Sequence, residues 1–359
     1  MMLQEHPASP GKTSMYALSG LFPHEIAERV EAPPLRGRQI FQWLHKKQVF
    51  EISSMTDMSL TERVRIAAQH IPTALTPVLV QESRKTGARK LLFELADRET
   101  VESVLLSQGQ RITLCLSSQA GCALGCTFCA TGQAGFRRNL SPAEITEQAL
   151  RLVAVLGGIA GGTPNIVYMG MGEPFHNYDA VIKSIHLLMH PDGMHIGARK
   201  ITVSTAGEVA GIRRFAEEPW QVRLSVSLHA ADDELRSQLV PLNKRYPLKE
   251  LHNALALYQE KRNRQITFEW VLMKDVNDSP AQARALSRFV HGLDATVNLI
   301  PWNAVPGLDY QPSPLKEQKN FMAVLQKEGI KATLRKERGD DIDAACGQLR
   351  NIRHGRGTT

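Results

Sequence analysis

Residues 111–132, RITLCLSSQAGCALGCTFCATG, place a short strand pattern directly before a glycine-rich loop with three cysteines. Cys122, Cys126 and Cys129 follow one another with the spacing C-x3-C-x2-C. Thiolates are soft ligands that suit iron–sulfur clusters or zinc, and a three-cysteine loop leaves one position of a cubane cluster without a protein ligand. We therefore interpret this loop as a metal site with an open coordination position.

A zinc site is the alternative interpretation of the same loop. Cys115, seven residues before Cys122, would then supply a fourth thiolate. Structural zinc sites usually pair two short C-x2-C knuckles, and this spacing does not contain them. The spacing favours the iron–sulfur interpretation.

A repeated alternation of strand and helix patterns extends from the loop toward the C-terminus. The predicted strands are 111–117, 165–169, 200–205, 222–228, 266–273 and 296–301. Six such units predict an α/β fold, a partial (β/α)6 TIM-like barrel, with one more strand near 331–336 extending it. The clearest helix begins at Ser141, where Pro142 lies in the first turn and Glu144 completes a capping box.

The chain divides by composition into five predicted regions. We expect a flexible tail at 1–15, a small basic helical domain at 16–75, a short β extension at 76–110, the barrel at 111–345, and a cysteine-bearing segment with a basic tail at 346–359. Basic side chains of the helical domain support an RNA substrate: Arg36, Arg38, Lys46 and Lys47, which lie near Phe41 and Trp43. Such a basic face is usually only solvated, and Trp43 is more typical of a core residue than of a base-stacking platform.

Composition excludes several classes of protein. Of 359 residues, 43 are Lys or Arg and 36 are Asp or Glu, so the net charge of +7 favours an anionic partner. A hydrophobic content of 43% argues against disordered and fibrous chains. No apolar run of about 18 residues is present and the first residues do not resemble a signal peptide, so we expect a cytoplasmic protein without a membrane span. Five cysteines, three of them clustered, argue against a disulfide-stapled scaffold.

The cysteine loop, with Phe128 in C-x3-C-x-aromatic-C, resembles the signature of radical S-adenosylmethionine (SAM) enzymes. From residue 15 onward the chain is similar to the adenosine-C2 methyltransferases of the RlmN type. Five motifs carry this resemblance: LCLSSQAGC from Cys115, CTFCATG, MGMGEP, IPWN, and GDDIDAACGQL around Cys346.

The resemblance implies cofactors and their ligands. One 4Fe-4S cluster would be held by Cys122, Cys126 and Cys129, with SAM on the remaining iron. Two SAM molecules would be used per turnover. The residues that match the SAM contacts of the family are Gly172, Glu173, Ser204, Ser227, Leu228, His229 and Asn303. Glycine permits close backbone approach, and a carboxylate accepts hydrogen bonds from the ammonium group of SAM.

The resemblance also implies a covalent mechanism. Cys346 would carry the methyl group as S-methylcysteine and become briefly joined to the RNA. Cys115 would resolve this crosslink by forming a transient disulfide with Cys346, and Glu102 would accept a proton. No role follows for Arg338 or for the neighbouring acidic residues Asp340, Asp341 and Asp343.

The implied substrates are one adenosine in the peptidyl-transferase centre of 23S ribosomal RNA and the adenosine 3′ of the anticodon in some transfer RNAs. An electron donor is required, and we expect a monomer. Two other functions stay open at this point. One is the sister group that methylates C8 of the same ribosomal adenosine and confers antibiotic resistance, although IPWN and RGDDID favour C2. The other is a zinc-containing RNA-binding protein without catalysis.

Overall fold

The structure is a computed structural model that describes residues 17–158, 162–335 and 339–349. The tail expected at 1–15, Arg338 and the basic end from residue 350 lie outside the described residues. No helix in the described ranges combines the length and the apolar composition needed to cross a membrane.

Three helices form the N-terminal region: α1 (Pro23–Arg29), α2 (Pro34–His45) and α3 (Leu60–Gln69). Helices α1 and α2 each begin at a proline, whose fixed φ suits the first helical position. Helix α3 is capped by Ser59, which accepts a hydrogen bond from the Glu62 amide at 3.3 Å. Their apolar faces form a small core of their own, which also takes in Leu187 of a later helix. The predicted small helical region is confirmed.

Four strands follow as an antiparallel meander: β1 (Thr76–Glu82), β2 (Arg89–Glu94), β3 (Thr100–Gln108) and β4 (Arg111–Cys115). We expected the first three to form a short sheet between two regions. Instead β3 pairs directly with β4, so the extension continues the main sheet. This places side chains of β2 and β3 beside the first strand of the barrel.

The cysteine loop is framed by a small sheet and a short helix. Strand β5 (Gln119–Gly121) pairs with β6 (Phe136–Asn139), and α4 (Ala130–Ala134) lies between them in sequence. Gly121 has a φ of +79°, and a Cβ there would come within 1.9 Å of the Gly135 carbonyl oxygen. Only glycine fits this close approach.

The remaining strands continue the main sheet in parallel from β4. They are β7 (Asn165–Tyr168), β8 (Ile201–Thr205), β9 (Arg223–Ser227), β10 (Ile266–Leu272), β11 (Ala295–Pro301) and β12 (Lys331–Leu334). The order of the ten-stranded sheet is β1-β2-β3-β4-β7-β8-β9-β10-β11-β12. The predicted α/β class with a mostly parallel sheet is confirmed, and each predicted strand lies within two residues of an observed one.

Seven helices accompany the parallel strands in the described residues. They are α5 (Pro142–Val155), α6 (Tyr178–Met189), α7 (Val209–Phe215), α8 (Asp233–Leu239), α9 (Leu248–Arg262), α10 (Pro280–Val290) and α11 (Leu315–Lys327). One of them, α8, lies against the cysteine loop. The capping box predicted at Ser141 is present: Ser141 Oγ accepts from the Glu144 amide at 3.2 Å, and Glu144 accepts from the Ser141 amide at 2.7 Å.

The two faces of the parallel sheet differ in polarity. Apolar side chains such as Val203, Leu224 and Phe268 are fully buried against the helices. The opposite face is polar, because the register places Ser204 beside Ser225, and Ser227 and Asn298 on either side of Glu269. Since paired residues of adjacent strands point to the same side, these side chains line one interior surface. This polar face positions the site described next.

Candidate active site

The three loop cysteines lie between β5 and α4, and backbone bonds shape the loop. Gly125 adopts a φ of +65°, and the Cys129 amide donates to the Cys126 carbonyl at 3.2 Å. Cys129 is the residue immediately before α4, and the Cys122 amide donates to Gly135 at 3.1 Å. The turn therefore brings the three thiols to one side of a compact loop.

The thiols are close enough to influence one another electrostatically. Burial raises the pKa of Cys122 to about 12, and the neighbouring Cys129 adds to the increase. Burial raises the pKa of Cys126 well above its ordinary value, with further increases from Cys129 and Cys122. Thiols must lose their protons to bind a metal, so iron binding here would be coupled to proton release. Within the described ranges, no three His, Cys, Asp or Glu side chains are arranged around a single-ion position.

Arg236 is a buried cation beside this loop that the sequence did not reveal. It lies on α8, is fully buried, and donates to the carbonyls of Leu228 at 3.2 Å and Ala206 at 2.6 Å. Its charge acts on Cys126, and burial lowers the pKa of Arg236 to about 10. It offsets the negative charge of thiolates while it ties the ends of β8 and β9 together. A set of three thiols with a nearby buried cation fits an anionic thiolate cluster.

Aromatic side chains support the loop from the barrel side. Trp302 Nε1, just after β11, donates to the Phe128 carbonyl at 3.1 Å. The Phe128 ring packs edge-on against the His229 ring with centroids 4.7 Å apart. His229 Nδ1 accepts from the Val271 amide at 3.1 Å, and burial lowers the pKa of His229 to about 3. His229 is therefore neutral in the folded protein and contributes to holding the loop.

Gly172 and Glu173 follow β7 and face the strand β5. Gly172 has a φ of +97°, and a Cβ there would approach the Gln119 side chain within 2.5 Å. Glu173 is 2% exposed, and its carboxylate accepts from the amides of Phe175 at 3.1 Å and Ala206 at 2.8 Å. Burial raises the pKa of Glu173 to about 7. The carboxylate thus joins the ends of β7 and β8 beside the cysteine loop.

The other SAM candidates on the strand ends differ in availability. Ser204 and Ser227 end adjacent strands, with their Oγ atoms 3.4 Å apart. Leu228 is fully buried, its amide donates to Glu269, and its carbonyl accepts from Arg236. The two serines therefore present polar groups to the interior face, whereas Leu228 contributes to packing.

Asn303 supplies an unsatisfied acceptor next to the C-terminal cysteine. Its Nδ2 donates to the Cys346 carbonyl at 3.2 Å, and its Oδ1 is buried without a hydrogen-bond partner. A buried amide oxygen normally finds a donor, so this orphan atom fits a ligand that brings one. The hydroxyl and amino groups of SAM are such donors.

Cys115 and Cys346 lie together although 230 positions separate them in sequence. Burial raises the pKa of Cys115 to about 12, and the nearby Cys346 raises it further. Desolvation by the neighbouring protein raises the pKa of Cys346. The Arg335 guanidinium lowers this pKa, and Glu269 and Cys129 raise it further. Cys346 is an exposed residue, so it is accessible to a ligand. The four-thiolate zinc site required Cys115 to join the loop thiols, but its neighbouring thiol is Cys346.

The segment around Cys346 is held by its main chain. Lys90 Nζ donates to the Asp343 carbonyl at 3.2 Å, and the Ala130 amide donates to the Gly347 carbonyl at 2.8 Å. Asn303 holds the carbonyl of Cys346 itself, and Gln348 Nε2 reaches back to Ala304 at 2.9 Å. The thiol of Cys346 is not used in any of these bonds.

Glu102 lies on β3 close to this segment. It is 1% exposed, and its Oε1 is 3.0 Å from Lys90 Nζ. Cys115 is paired with Val104, two residues from Glu102, so Cys115 and Glu102 share one face of the sheet. Glu102 therefore shares a sheet face with Cys115 and is linked through Lys90 to the segment that carries Cys346.

The N-terminal basic residues are less available than the sequence indicated. Arg36 pairs with Glu62 at 2.8 Å, and Arg38 pairs with Asp192 at 2.7 Å. Phe41 is fully buried. Lys46 and Lys47 are exposed, with Lys47 Nζ 3.4 Å from the centroid of the Trp43 ring. Of the basic candidates for RNA contact, Lys46 and Lys47 are therefore the two that remain available.

Four members of the site do not belong to any motif in the sequence: Arg236, Lys90, Glu269 and Arg335. Glu269 is the one charged residue of the strand ITFEWVL, and a charge at such a position needs a buried partner. That signal was present in the strand pattern. Lys90 follows Arg89 at the start of RKLLFE, where the pattern alone does not distinguish it. The partners of both residues come from other strands, and only the register identifies them.

Comparison with known proteins gives consistent matches over most of the chain. A family model described as the radical SAM superfamily matches residues 116–285, and one described as the ribosomal RNA large subunit methyltransferase N-terminal domain matches residues 24–71. The chain is 46% identical over 348 residues to a probable dual-specificity RNA methyltransferase RlmN of Heliobacterium modesticaldum, covering 94% of this chain and 90% of the relative. A relative from Moorella thermoacetica with the same description is 46% identical, covering 94% and 98%.

A solved structure gives the same picture in three dimensions. The fold is similar to the crystal structure of a radical SAM methyltransferase from Sphaerobacter thermophilus, with a TM-score of 0.90 and 44% identity. The match covers 93% of this chain and 99% of that one.

Proposed function

The chain belongs to the RlmN family of radical SAM RNA methyltransferases, and from this premise we propose that it methylates C2 of specific adenosines in two RNAs. These are an adenosine in the peptidyl-transferase centre of 23S ribosomal RNA and the adenosine 3′ of the anticodon in some transfer RNAs. Membership of the family implies SAM and a 4Fe-4S cluster as cofactors and RNA as substrate. The dual specificity in the names of the relatives supports the choice of both RNAs.

The observation that carries the proposal is the position of Cys346. The Ala130 amide, next to the cluster ligand Cys129, donates to the Gly347 carbonyl, next to Cys346, at 2.8 Å. Cys346 is also near enough to the resolving candidate Cys115 for the two thiols to influence each other electrostatically. The C2 carbon of adenine is electron-poor and does not attack SAM directly. This difficulty is overcome if a thiol first accepts the methyl group from SAM and lies close to the cluster that supports radical formation.

The residues present fit the cofactors. Cys122, Cys126 and Cys129 would hold the cluster, and Asn303, Gly172 and Glu173 would contact SAM. The orphan Asn303 Oδ1, the close approach at Gly172 and the buried Glu173 carboxylate support this. Ser204 and Ser227 add hydroxyl groups on the same interior face. When bound, the cluster and SAM supply a 5′-deoxyadenosyl radical that removes one hydrogen atom from the carried methyl group.

The remaining steps belong to side chains of this protein. The Cys346 thiolate takes a methyl group from a first SAM, which leaves S-adenosylhomocysteine. A second SAM is used to remove one hydrogen atom from this methyl group. The methylene that remains on the Cys346 sulfur then bonds to adenine C2. Cys115 then bonds to the Cys346 sulfur as the sulfur–methylene bond breaks, leaving a methyl group on C2. From S-methylcysteine onward, the sum of these steps releases one proton and one electron. Glu102 takes up the proton, and a bound cluster would accept the electron. An electron donor afterwards reduces the disulfide.

Mass spectrometry of the peptide that contains Cys346 tests this proposal. The protein is purified anaerobically from an expressing host, and we expect one added methylene mass on Cys346. The variant Cys126→Ala is the matched control, because loss of a cluster ligand leaves Cys346 in place but removes iron and activity.

An unmodified Cys346 in protein that holds iron and sulfide would contradict the methyl-carrier role. Chromatographic and mass assignment of the product nucleoside tests the position of the methyl group. We expect 2-methyladenosine, and a C8-methylated product would contradict the proposed specificity.

A further inference from the structure

Lys90 is a buried lysine on strand β2. It belongs to none of the sequence motifs, and the mechanism proposed above does not use it. Its side chain is 4% exposed. Lysine is almost never buried to this degree without a partner, because an unpaired ammonium loses its hydration. Lys90 therefore depends on the groups that surround its Nζ atom.

Two groups around Nζ come from distant parts of the chain. Glu102 Oε1 lies 3.0 Å away on the adjacent strand β3, and the Asp343 carbonyl accepts at 3.2 Å from the segment that carries Cys346. One ammonium has three donors, so it makes both contacts at once. Lys90 thus connects the proposed proton acceptor with the segment of the methyl carrier.

The sheet register places this connection beside Cys115. Lys90 pairs with Val104, and Val104 pairs with Cys115 on its other side. Residues paired across adjacent strands point to the same face, so Lys90, Glu102 and Cys115 lie on one face. Lys90 thus contacts the acid–base candidate directly, shares a sheet face with Cys115 two strands away, and holds the main chain three residues before Cys346.

Resting on the proposed function, we propose that Lys90 is a positioning residue for crosslink resolution. It holds the Glu102 carboxylate in place as proton acceptor and fixes the Asp343 carbonyl so that Cys346 stays within reach of Cys115. Methylation of Cys346 by the first SAM does not involve Glu102. Loss of Lys90 therefore affects the later step and leaves the earlier one intact.

The experiment compares Lys90→Met, Lys90→Arg, Glu102→Gln and Cys115→Ala in the holoenzyme with ribosomal and transfer RNA transcripts. Three quantities are measured: methyl on Cys346, covalent protein–RNA adduct on denaturing gels, and methyladenosine formed. For Lys90→Met we expect normal Cys346 methylation, accumulated adduct as in Cys115→Ala, and product formation lowered about 100-fold, the scale of a lost general base. Lys90→Arg keeps charge and donors, and we expect it to recover most product formation.

Lys90→Met removes the cation that faces the buried Glu102 carboxylate, which weakens the fold. The double variant Lys90→Met/Glu102→Gln removes both charges, and we expect it to fold and still accumulate adduct. Wild-type product formation in Lys90→Met would overturn the inference. So would a parallel loss of methyl-Cys346 and adduct in the folded double variant, or the absence of any recovery in Lys90→Arg.

Failure of the proposed function gives a different result. Wild-type protein would then lack methyl on Cys346, and Cys115→Ala would form no adduct with either RNA. In that case the fault lies before the step in which Lys90 acts.

Discussion

Gly172 shows how a single residue without a side chain shapes the SAM region. Its φ of +97° lies outside the range that other residues adopt easily, and the Gln119 side chain occupies the space where a Cβ would be. Gln119 in turn accepts from the Glu173 amide at 2.9 Å. A larger side chain at position 172 would therefore displace Gln119 and, through it, disturb the position of Glu173.

We predict that Gly172→Ala weakens SAM binding at least tenfold and destabilises the protein by about 1–3 kcal/mol, because the strained backbone and the displaced Gln119 both disturb Glu173. Gly109→Ala is the matched control, since Gly109 also has a positive φ, +55°, but open space around it. Calorimetric titration of SAM and thermal unfolding measure the two effects. Unchanged SAM affinity in Gly172→Ala would show that this glycine is not at the cofactor.

The five cysteines also differ in how far the sequence alone predicts which of them lie together. Cys122, Cys126 and Cys129 lie within eight positions, so their spacing alone indicated a shared site. The proximity of Cys115 and Cys346 depends on how the C-terminal segment folds back, and no local pattern contains it. It was inferred from resemblance, and the structure now gives it a physical basis.

Helix α5 is the element through which the barrel contacts the N-terminal region most directly. Glu147 on its buried face accepts from the Ala74 amide at 2.6 Å and from Ser19 at 3.3 Å, and pairs with Arg151 at 2.9 Å. Burial raises the pKa of Glu147 to about 7, although Arg151 and the hydrogen bonds oppose this. The carboxyl group therefore binds its proton more tightly in the folded chain than in the unfolded one.

This gives a pH-dependent stability with a definite sign. The stabilisation from the bound proton is complete below about pH 4.5, the ordinary value, and is lost as the pH rises to about 7. From pH 5 to pH 8 we expect the wild type to lose about 1–3 kcal/mol more of its unfolding free energy than Glu147→Gln, which does not titrate. Urea unfolding at both pH values checks this. Equal losses in the two proteins would contradict the prediction.

The elements themselves were largely predictable, and their pairing was not. Strand patterns such as NIVY and ITFEWVL and the capping box at Ser141 are local, so the sequence contains them. The pairing of β3 with β4 is an interaction between segments, as is the contact of Lys90 with Asp343, 253 positions apart. The charge of Glu269 within an apolar strand indicated that a partner exists but not where it lies.

The whole molecule joins its helical region to the barrel by ion pairs on helix α6 and the turn after it. Lys183 pairs with Glu25 at 2.7 Å, and Arg38 pairs with Asp192 at 2.7 Å. Such partly exposed pairs each contribute about 0–1 kcal/mol, so they set orientation more than stability. Because Arg38 is paired with Asp192, it is less available to contact RNA.

We predict that Lys46→Gln/Lys47→Gln weakens RNA binding several-fold and reduces the slope of log affinity against log salt by about 1–2, because exposed lysines contact phosphates. Lys316→Gln/Lys319→Gln on α11 removes the same charge from another exposed surface and is the matched control. Binding is measured by filter retention at several salt concentrations. Equal effects of the two double variants would mean that only net charge matters.

The main-chain attachment of the Cys346 segment has a consequence for protein engineering. Its anchors hold the carbonyl groups of Asp343, Cys346 and Gly347, and they are insensitive to what the side chain at position 346 carries. Under the proposed mechanism, a free thiol, a methylated thioether and an RNA-bearing sulfur would therefore occupy the same position in succession. Position 346 is accordingly a place where selenocysteine or a longer alkylated cysteine can be installed with little disturbance of the surrounding backbone, so that groups other than methyl can be offered to the RNA.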